Sequence, residues 1–137
     1  MTLSLLIMLD PIRHPPSAKQ TQAIALKAFD RIAQDWSLPL AEAAALTDMS
    51  LSTWKRARKP GYGGELTRDQ TLRISALVGL YKSLQLYFSA PIAAQWVRLA
   101  NAGPEFNGQR PVDAMIAGGL PKILRVRMYV DALRGGV

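Results

Sequence analysis

Apolar positions along this chain recur mostly at helical spacing. Ala25, Phe29, Ile32 and Trp36 succeed one another at steps of four, three and four, so residues 19–36 are expected to form an amphipathic helix. Pro39 ends that helix and restarts the next. Two short helical patterns then meet at a polar hinge. Small Ala43, Ala44 and Ala45 let the first lie close to its neighbours, and Asp48 stands where a sharp turn needs a residue tolerant of left-handed backbone. Met49 is expected to plug the core and Ser50 to cap the second helix, which ends in Lys55-Arg-Ala-Arg-Lys59. Two short helices joined by a tight polar turn are the pattern of a helix-turn-helix.

Helices dominate the remainder of the chain. After the turn Lys59-Pro-Gly-Tyr-Gly-Gly64, Thr67-Arg-Asp-Gln70 has capping-box form, and Leu72, Ala76, Leu80, Leu84 and Tyr87 run a stripe to Phe88. This long helix is expected to bridge the two halves of the chain. Pro91 opens a helix running to Ala100, Asn101–Pro111 is a loop rich in turn formers, Pro111 opens a short helix closed by Gly118 and Gly119, and Pro121 opens a last one to about Leu133. No convincing sheet, repeat or low-complexity tract is present. The expected fold class is all-α, divided into an N-terminal extension (1–18), a helix-turn-helix region (19–66), a connecting helix (67–90) and a C-terminal domain (91–137). Trp36, Trp54 and Trp96 fall on apolar helical faces and are expected in the core, and Met115, Met128 and Tyr129 suit either packing or exposed partner contacts, packing being the assignment taken.

In the second hinge helix, Leu51, Trp54 and Arg58 share one face, while Ser52, Thr53, Arg56 and Lys59 lie on the other. One face packs and the other is offered to a polyanion. Hydroxyls and a guanidinium near a helix N-terminus reach base edges in a major groove, and Lys55, Arg58 and Lys59 neutralise phosphates. Ser50, Ser52, Thr53, Lys55, Arg56, Arg58, Lys59 and Arg68 are therefore the candidate DNA contacts, Arg68 being as well suited to a solvated role. An ordinary helical hairpin with a solvated basic end is the plainer alternative.

Charge supports a nucleic-acid partner. Lys and Arg number 17 against 10 Asp and Glu, a formal charge of +7, with a pI near 10.1. Cysteine is absent, which excludes disulfides, thiolate-bound zinc and thiol nucleophiles and suits a reducing cytoplasm. The single histidine, His14, lies among prolines and is expected to be a loop residue. The carboxylates are scattered with no metal-binding spacing, and Gly61, Gly63 and Gly64 come after no strand, which weakens any phosphate-cradling reading. No metal, no cofactor and no catalysis are expected. The apolar stretch Leu3–Leu9 has no basic residue before it and no cleavage site after it, and is too short to span a bilayer. An extended segment packed on its own domain, a partner contact, and a start at Met8 all remain open for it.

The order Trp96, Asn101, Phe106, Gly108, Pro111, Asp113, Met115 and Gly118, with a terminal helix and a glycine-containing tail after it, resembles the C-terminal toxin-binding domain of Xre/MbcA/ParS-type antitoxins. That family joins an Xre-like helix-turn-helix to this domain, so the resemblance covers about residues 20–137. Ala100 stands where the family often has proline, and the loop from Asn101 to Gly108 is longer than usual. The resemblance implies an antitoxin whose partner is a RES-domain toxin acting on NAD, with the antitoxin's C-terminal end covering the toxin's site and the complex repressing its own operon. Carried onto this chain, Arg127, Asp131, Arg134, Gly135, Gly136 and Val137 are the toxin-contacting candidates, with a homodimer gripping an inverted repeat of operator DNA. A stand-alone helix-turn-helix regulator whose C-terminal half dimerises or senses a ligand is the alternative.

Overall fold

The computed structural model describes residues 15–135, apart from the side chain of Arg134, and the apolar Leu3–Leu9 stretch and His14 lie outside them. Among the described residues there are only helices and turns: α1 (Ala18–Asp35), α2 (Leu40–Leu46), α3 (Leu51–Ala57), α4 (Arg68–Tyr87), α5 (Ile92–Gln95) continuing as a 3-10 turn (Trp96–Arg98), and α6 (Pro111–Arg134). The all-α expectation holds.

Local chemistry sets most boundaries. Ser17 and Gln20 form a capping box at the start of α1, and Thr67 and Gln70 form another at the start of α4, each satisfying amide groups that the first turn leaves without partners. Pro39 is the N-cap of α2. The α2–α3 hinge is closed by Thr47, whose buried hydroxyl donates to the Ala43 and Ala44 carbonyls, and by Asp48, which takes φ +57°. The Met49 amide then bonds back to the Ala44 carbonyl, which turns the chain sharply into α3.

The expected helix to Ala100 is shorter than its apolar run suggests: α5 and the 3-10 turn end at Arg98, whose guanidinium Nε donates to the Trp36 carbonyl at 2.6 Å. After it, the Asn101–Gln109 loop closes on itself through amide bonds between its ends and drives Phe106 into the core. Phe106 meets Trp96 and Tyr129 edge-on, at 5.5 and 5.4 Å between ring centroids, a favourable arrangement of ring quadrupoles. Pro111 begins α6 as expected, and the break predicted at Gly118-Gly119 falls on Gly119. Its φ of +66° and ψ of −157° suit a residue without a Cβ, so the helix bends there and resumes through Pro121.

One hydrophobic cluster joins the two halves. It contains Phe29, Trp36, Leu46 and Trp54 from the first part, Leu77, Leu80 and Leu84 from α4, and Met115, Ile123, Val126 and Val130 from α6. Helix α4 lies centrally, packed along α6 on one side and α1 on another, while α2 also touches α6. The buried stripe of α4 runs through Ile74, Leu77, Leu80 and Leu84; Leu72 and Tyr87, expected on it, are over 40% exposed at its ends. Polar pins cross the same seams. Arg110 bonds both Glu42 of α2 and Asp113 of α6, Tyr81 of α4 donates to Asp35 of α1 at 2.8 Å, and Lys122 holds Glu105 at 2.9 Å.

Candidate functional site

Helix α3 is positioned by what it buries. Trp54 is fully enclosed and meets Phe29 of α1 edge-on at 5.5 Å, and Ala57 is buried one turn later. With only 7 residues, α3 has two turns, so fixing Trp54 and Ala57 inward turns Ser52, Lys55 and Arg56 outward; Lys59, expected on the same helix face, lies in the turn after the helix, and all four are exposed. Leu51, expected on the packed face, is instead 41% exposed, because as the first helical residue it precedes the turn that α1 covers.

The hydroxyl cluster at the N-terminus of α3 is ordered by its own bonds. Ser50 Oγ accepts from the Thr53 amide at 3.1 Å and donates to Thr53 Oγ1 at 2.9 Å, and lies 3.3 Å from Ser52 Oγ. Arg56 reaches back to Thr53 Oγ1 at 3.5 Å, an extended pose over the open side of the helix. A hydroxyl, a guanidinium and two ammonium groups are thus presented on one solvent-facing surface of α3 and the turn after it. Arg68, the first residue of α4, is also exposed. Gln70 beside it donates to the Asp48 carbonyl at 3.0 Å and ties the start of α4 to the hinge.

Arg58 differs from its neighbours. Its Nε donates to Asp30 Oδ1 of α1 at 2.8 Å, with both side chains largely covered, so its charge is matched within the fold. The sequence hides this, because the partner lies 28 residues away on another helix. Two further features go beyond the sequence expectations. Gln22 of α1 donates to the Gly64 carbonyl and accepts from the Leu66 amide, both at 2.8 Å, clamping the α3–α4 loop against α1. Between α1 and that loop lies a cleft of about 570 Å³ whose lining includes Lys19, Lys27, Arg31, Arg58 and Lys59. The grouping of Lys19, Lys27 and Arg31 gives no helical-face signal in the sequence, since steps of eight and four fan them over about 120° of the helix.

The C-terminal candidates are arranged differently. Arg127 and Asp131 lie on α6 beside α4: Asp131 accepts a hydrogen bond from Ser83 Oγ, and Arg127 Nε is 3.9 Å from Asp131 Oδ2. A Cβ at Gly79 of α4 would come within 2.4 Å of the Arg127 guanidinium, so that glycine makes room for the arginine on the α4 surface. Both side chains sit half-buried in an intramolecular seam. Gly135 is the exposed C-cap of α6; the Arg134 side chain, Gly136 and Val137 are outside the described residues. Met115 and Tyr129 join the core as expected, but Met128 is 69% exposed and corrects the assignment to packing. It stands one turn from Leu124, itself 43% exposed, because Ile123, Val126 and Val130 have taken the inward face.

Electrostatics are local. Arg110 hydrogen-bonds Asp113 and holds its carboxyl below the ordinary range, and the Lys122 ammonium does the same to Glu105. The hydrogen bond to Asp35, helped by burial, raises the Tyr81 phenol. Among the described residues no group of three His, Asp or Glu is placed to hold a metal, and no helix is long and apolar enough to cross a membrane.

Residues 15–79 match the family model of the antitoxin Xre-like helix-turn-helix domain. The match takes in α1, both hinge helices and the first half of α4. The chain is also similar to Uncharacterized protein y4oB of Sinorhizobium fredii, 34% identical over 136 residues, covering 94% of this chain and all of the relative.

Proposed function

Since the chain belongs to the family of the Sinorhizobium fredii protein y4oB and carries an Xre-like antitoxin helix-turn-helix, we propose that it is the antitoxin of a toxin-antitoxin pair. In this reading it binds operator DNA as an autorepressor through α3 and neutralises a RES-domain toxin through its C-terminal end, acting by coverage and without turnover of its own. The observation that carries the DNA half is the outward face of Ser52, Lys55 and Arg56, with Lys59 just after them, on a helix anchored by buried Trp54. Support for the toxin half is the order of residues from Trp96 to Gly118, together with a long final helix that exposes Leu124 and Met128 and ends in Gly135. Apolar side chains left bare on an otherwise packed helix suit a protein partner.

With Arg127 and Asp131 engaged by α4, the plug itself falls to residues 134–137. Deleting these four should restore toxicity when the chain is co-expressed with a RES-domain toxin and leave operator binding unchanged in a gel-shift assay. Undiminished neutralisation would reject the plug. On the DNA side, Arg56→Ala should weaken binding to the operator by about 1–3 kcal/mol and relax base preference, because a guanidinium reads base edges. The second reading, a stand-alone regulator whose C-terminal half dimerises, draws on the same bare Leu124 and Met128 face. A double Leu124→Ser, Met128→Ser variant separates the two: loss of toxin binding supports the antitoxin reading, whereas loss of the dimer from a chain that binds no RES-domain toxin before the change supports the regulator reading.

A further inference from the structure

The cleft between α1 and the α3–α4 loop belongs to none of the contacts assigned above except at its edge, where Lys59 and Arg58 line it. Its floor is apolar, formed by Ala23, Leu26, Ala57, Pro60 and Tyr62, and its lining carries five cations against one carboxylate. That carboxylate, Asp30, is already matched by Arg58. Lys19, Lys27, Arg31 and Lys59 are exposed, and none forms an ion pair within 4 Å among the described residues. On the far side of Arg31, Asp35 is the next carboxylate, and it accepts from Tyr81.

We propose that this cleft holds the phosphodiester backbone of the DNA flanking the groove occupied by α3, with Lys27, Arg31 and Lys59 as its principal phosphate contacts and Lys19 at its outer end. The inference rests on the DNA-binding reading above and extends it to a second element. Three features select the occupant. Lys19, Lys27 and Arg31 all line the cleft from α1, and at 1.5 Å per residue they are spread over roughly 18 Å of its length. An array of that length suits a polymer of charge; a compact anion would reach one or two members. The cleft is continuous with the exposed face of α3 through Lys59, so a strand leaving that face enters it directly. The two hydrogen bonds of Gln22 fix its loop wall before any ligand arrives, and an apolar floor beneath cations of one sign concentrates the attractive field.

The test measures affinity of the full chain for an operator duplex and a random duplex as a function of salt. Each phosphate contact removed should lower the slope of log affinity against log salt by about 0.9. The Lys27→Ala, Arg31→Ala double variant should therefore bind both duplexes more weakly and lose about 2 from the slope. Between 50 and 200 mM salt its affinity should fall roughly twelve-fold less than that of the unmodified chain, with its preference for the operator kept. Adding Lys19→Ala should remove up to one further contact. Thermal melting should be unchanged, since these side chains make no ion pair, and a variant with a lowered Tm is replaced by Lys27→Gln, Arg31→Gln. If the unmodified chain binds the operator and Arg56→Ala weakens it, yet the double variant keeps the full slope, the cleft assignment is overturned and the α3 reading survives. If the unmodified chain binds no DNA, both fall. If poly-glutamate of equal charge binds as tightly as the duplex and with the same dependence on Lys27 and Arg31, the occupant is an acidic polypeptide and the assignment is likewise overturned.

Discussion

Helix α3 has 7 residues and α6 has 24, and that difference governs how each displays its charges. A two-turn helix anchored by Trp54 and Ala57 has only one inward face, so its remaining polar residues are presented to solvent together. Helix α6 packs along α4 over much of its length, and its buried stripe of Ile123, Val126 and Val130 leaves Arg127 and Asp131 one position to the side. There they meet Gly79 and Ser83 and become part of the seam. Short, singly anchored helices are good places from which to read a binding face out of composition. On a long helix that packs throughout, a charged residue is as readily a flank of the core as a contact for a partner.

The comparison is tested hardest by asking whether the two regions stand alone. Because a single cluster spans both, Trp54→Ala should destabilise the whole chain by about 3–5 kcal/mol, the cost of removing a large buried aromatic and leaving a cavity. Urea unfolding should remain one transition whether monitored by far-ultraviolet circular dichroism or by tryptophan fluorescence, to which Trp36, Trp54 and Trp96 all contribute. Two separate transitions would show that the helix-turn-helix and α6 are independent units.

The same contrast marks what is legible in the sequence. Local chemistry can be read directly: Ser50 and Thr67 as caps, Asp48 in the left-handed region, Pro39 as a break, Gly119 as the bend and three tryptophans in the core. Each depends on residues a few positions apart. The Ser17-Gln20 capping box has the same signature as Thr67-Gln70 and is as readable, although the sequence expectations place no cap there. The Arg58–Asp30 pair, the Gln22 clamp and the placement of Arg127 over Gly79 lie outside local reading, since each joins residues 28 or more positions apart whose meeting is decided by helix packing. Of the candidate DNA face, Ser52, Lys55, Arg56 and Lys59 emerge exposed, and Arg58 is drawn inward.

A smaller effect sharpens the comparison at the joint between the regions. Arg110 reaches Glu42 of α2 at 3.0 Å and Asp113 of α6 at 2.8 Å, in partly solvated surroundings that weaken ion pairs. Arg110→Ala should cost about 1 kcal/mol, more than an ordinary surface pair, because it strips one side chain from two elements at once. If α2 is held against α6 chiefly by this residue, amide exchange in Leu40–Leu46 should accelerate in the variant while exchange in the middle of α4 stays slow.

The smallest effect is the dependence of that cost on pH. Asp113 is held below its ordinary pKa first by its hydrogen bond to Arg110, and Glu105 likewise by Lys122. For each, the unfolded chain binds more protons than the folded one between the lowered value and the ordinary carboxylate value of about 4, so stability rises with pH through that window. The contribution is complete above the ordinary value and disappears as pH falls through the lowered one. Arg110→Ala returns the Asp113 carboxyl towards its ordinary value and leaves the Glu105 pair in place. The stability gap between the variant and the unmodified chain, measured by urea unfolding, should therefore be widest near pH 7 and narrow progressively as pH falls below the ordinary carboxylate value of about 4. A gap that stayed constant across this range would mean that the Arg110–Asp113 pair adds no charge-dependent stability at the start of α6.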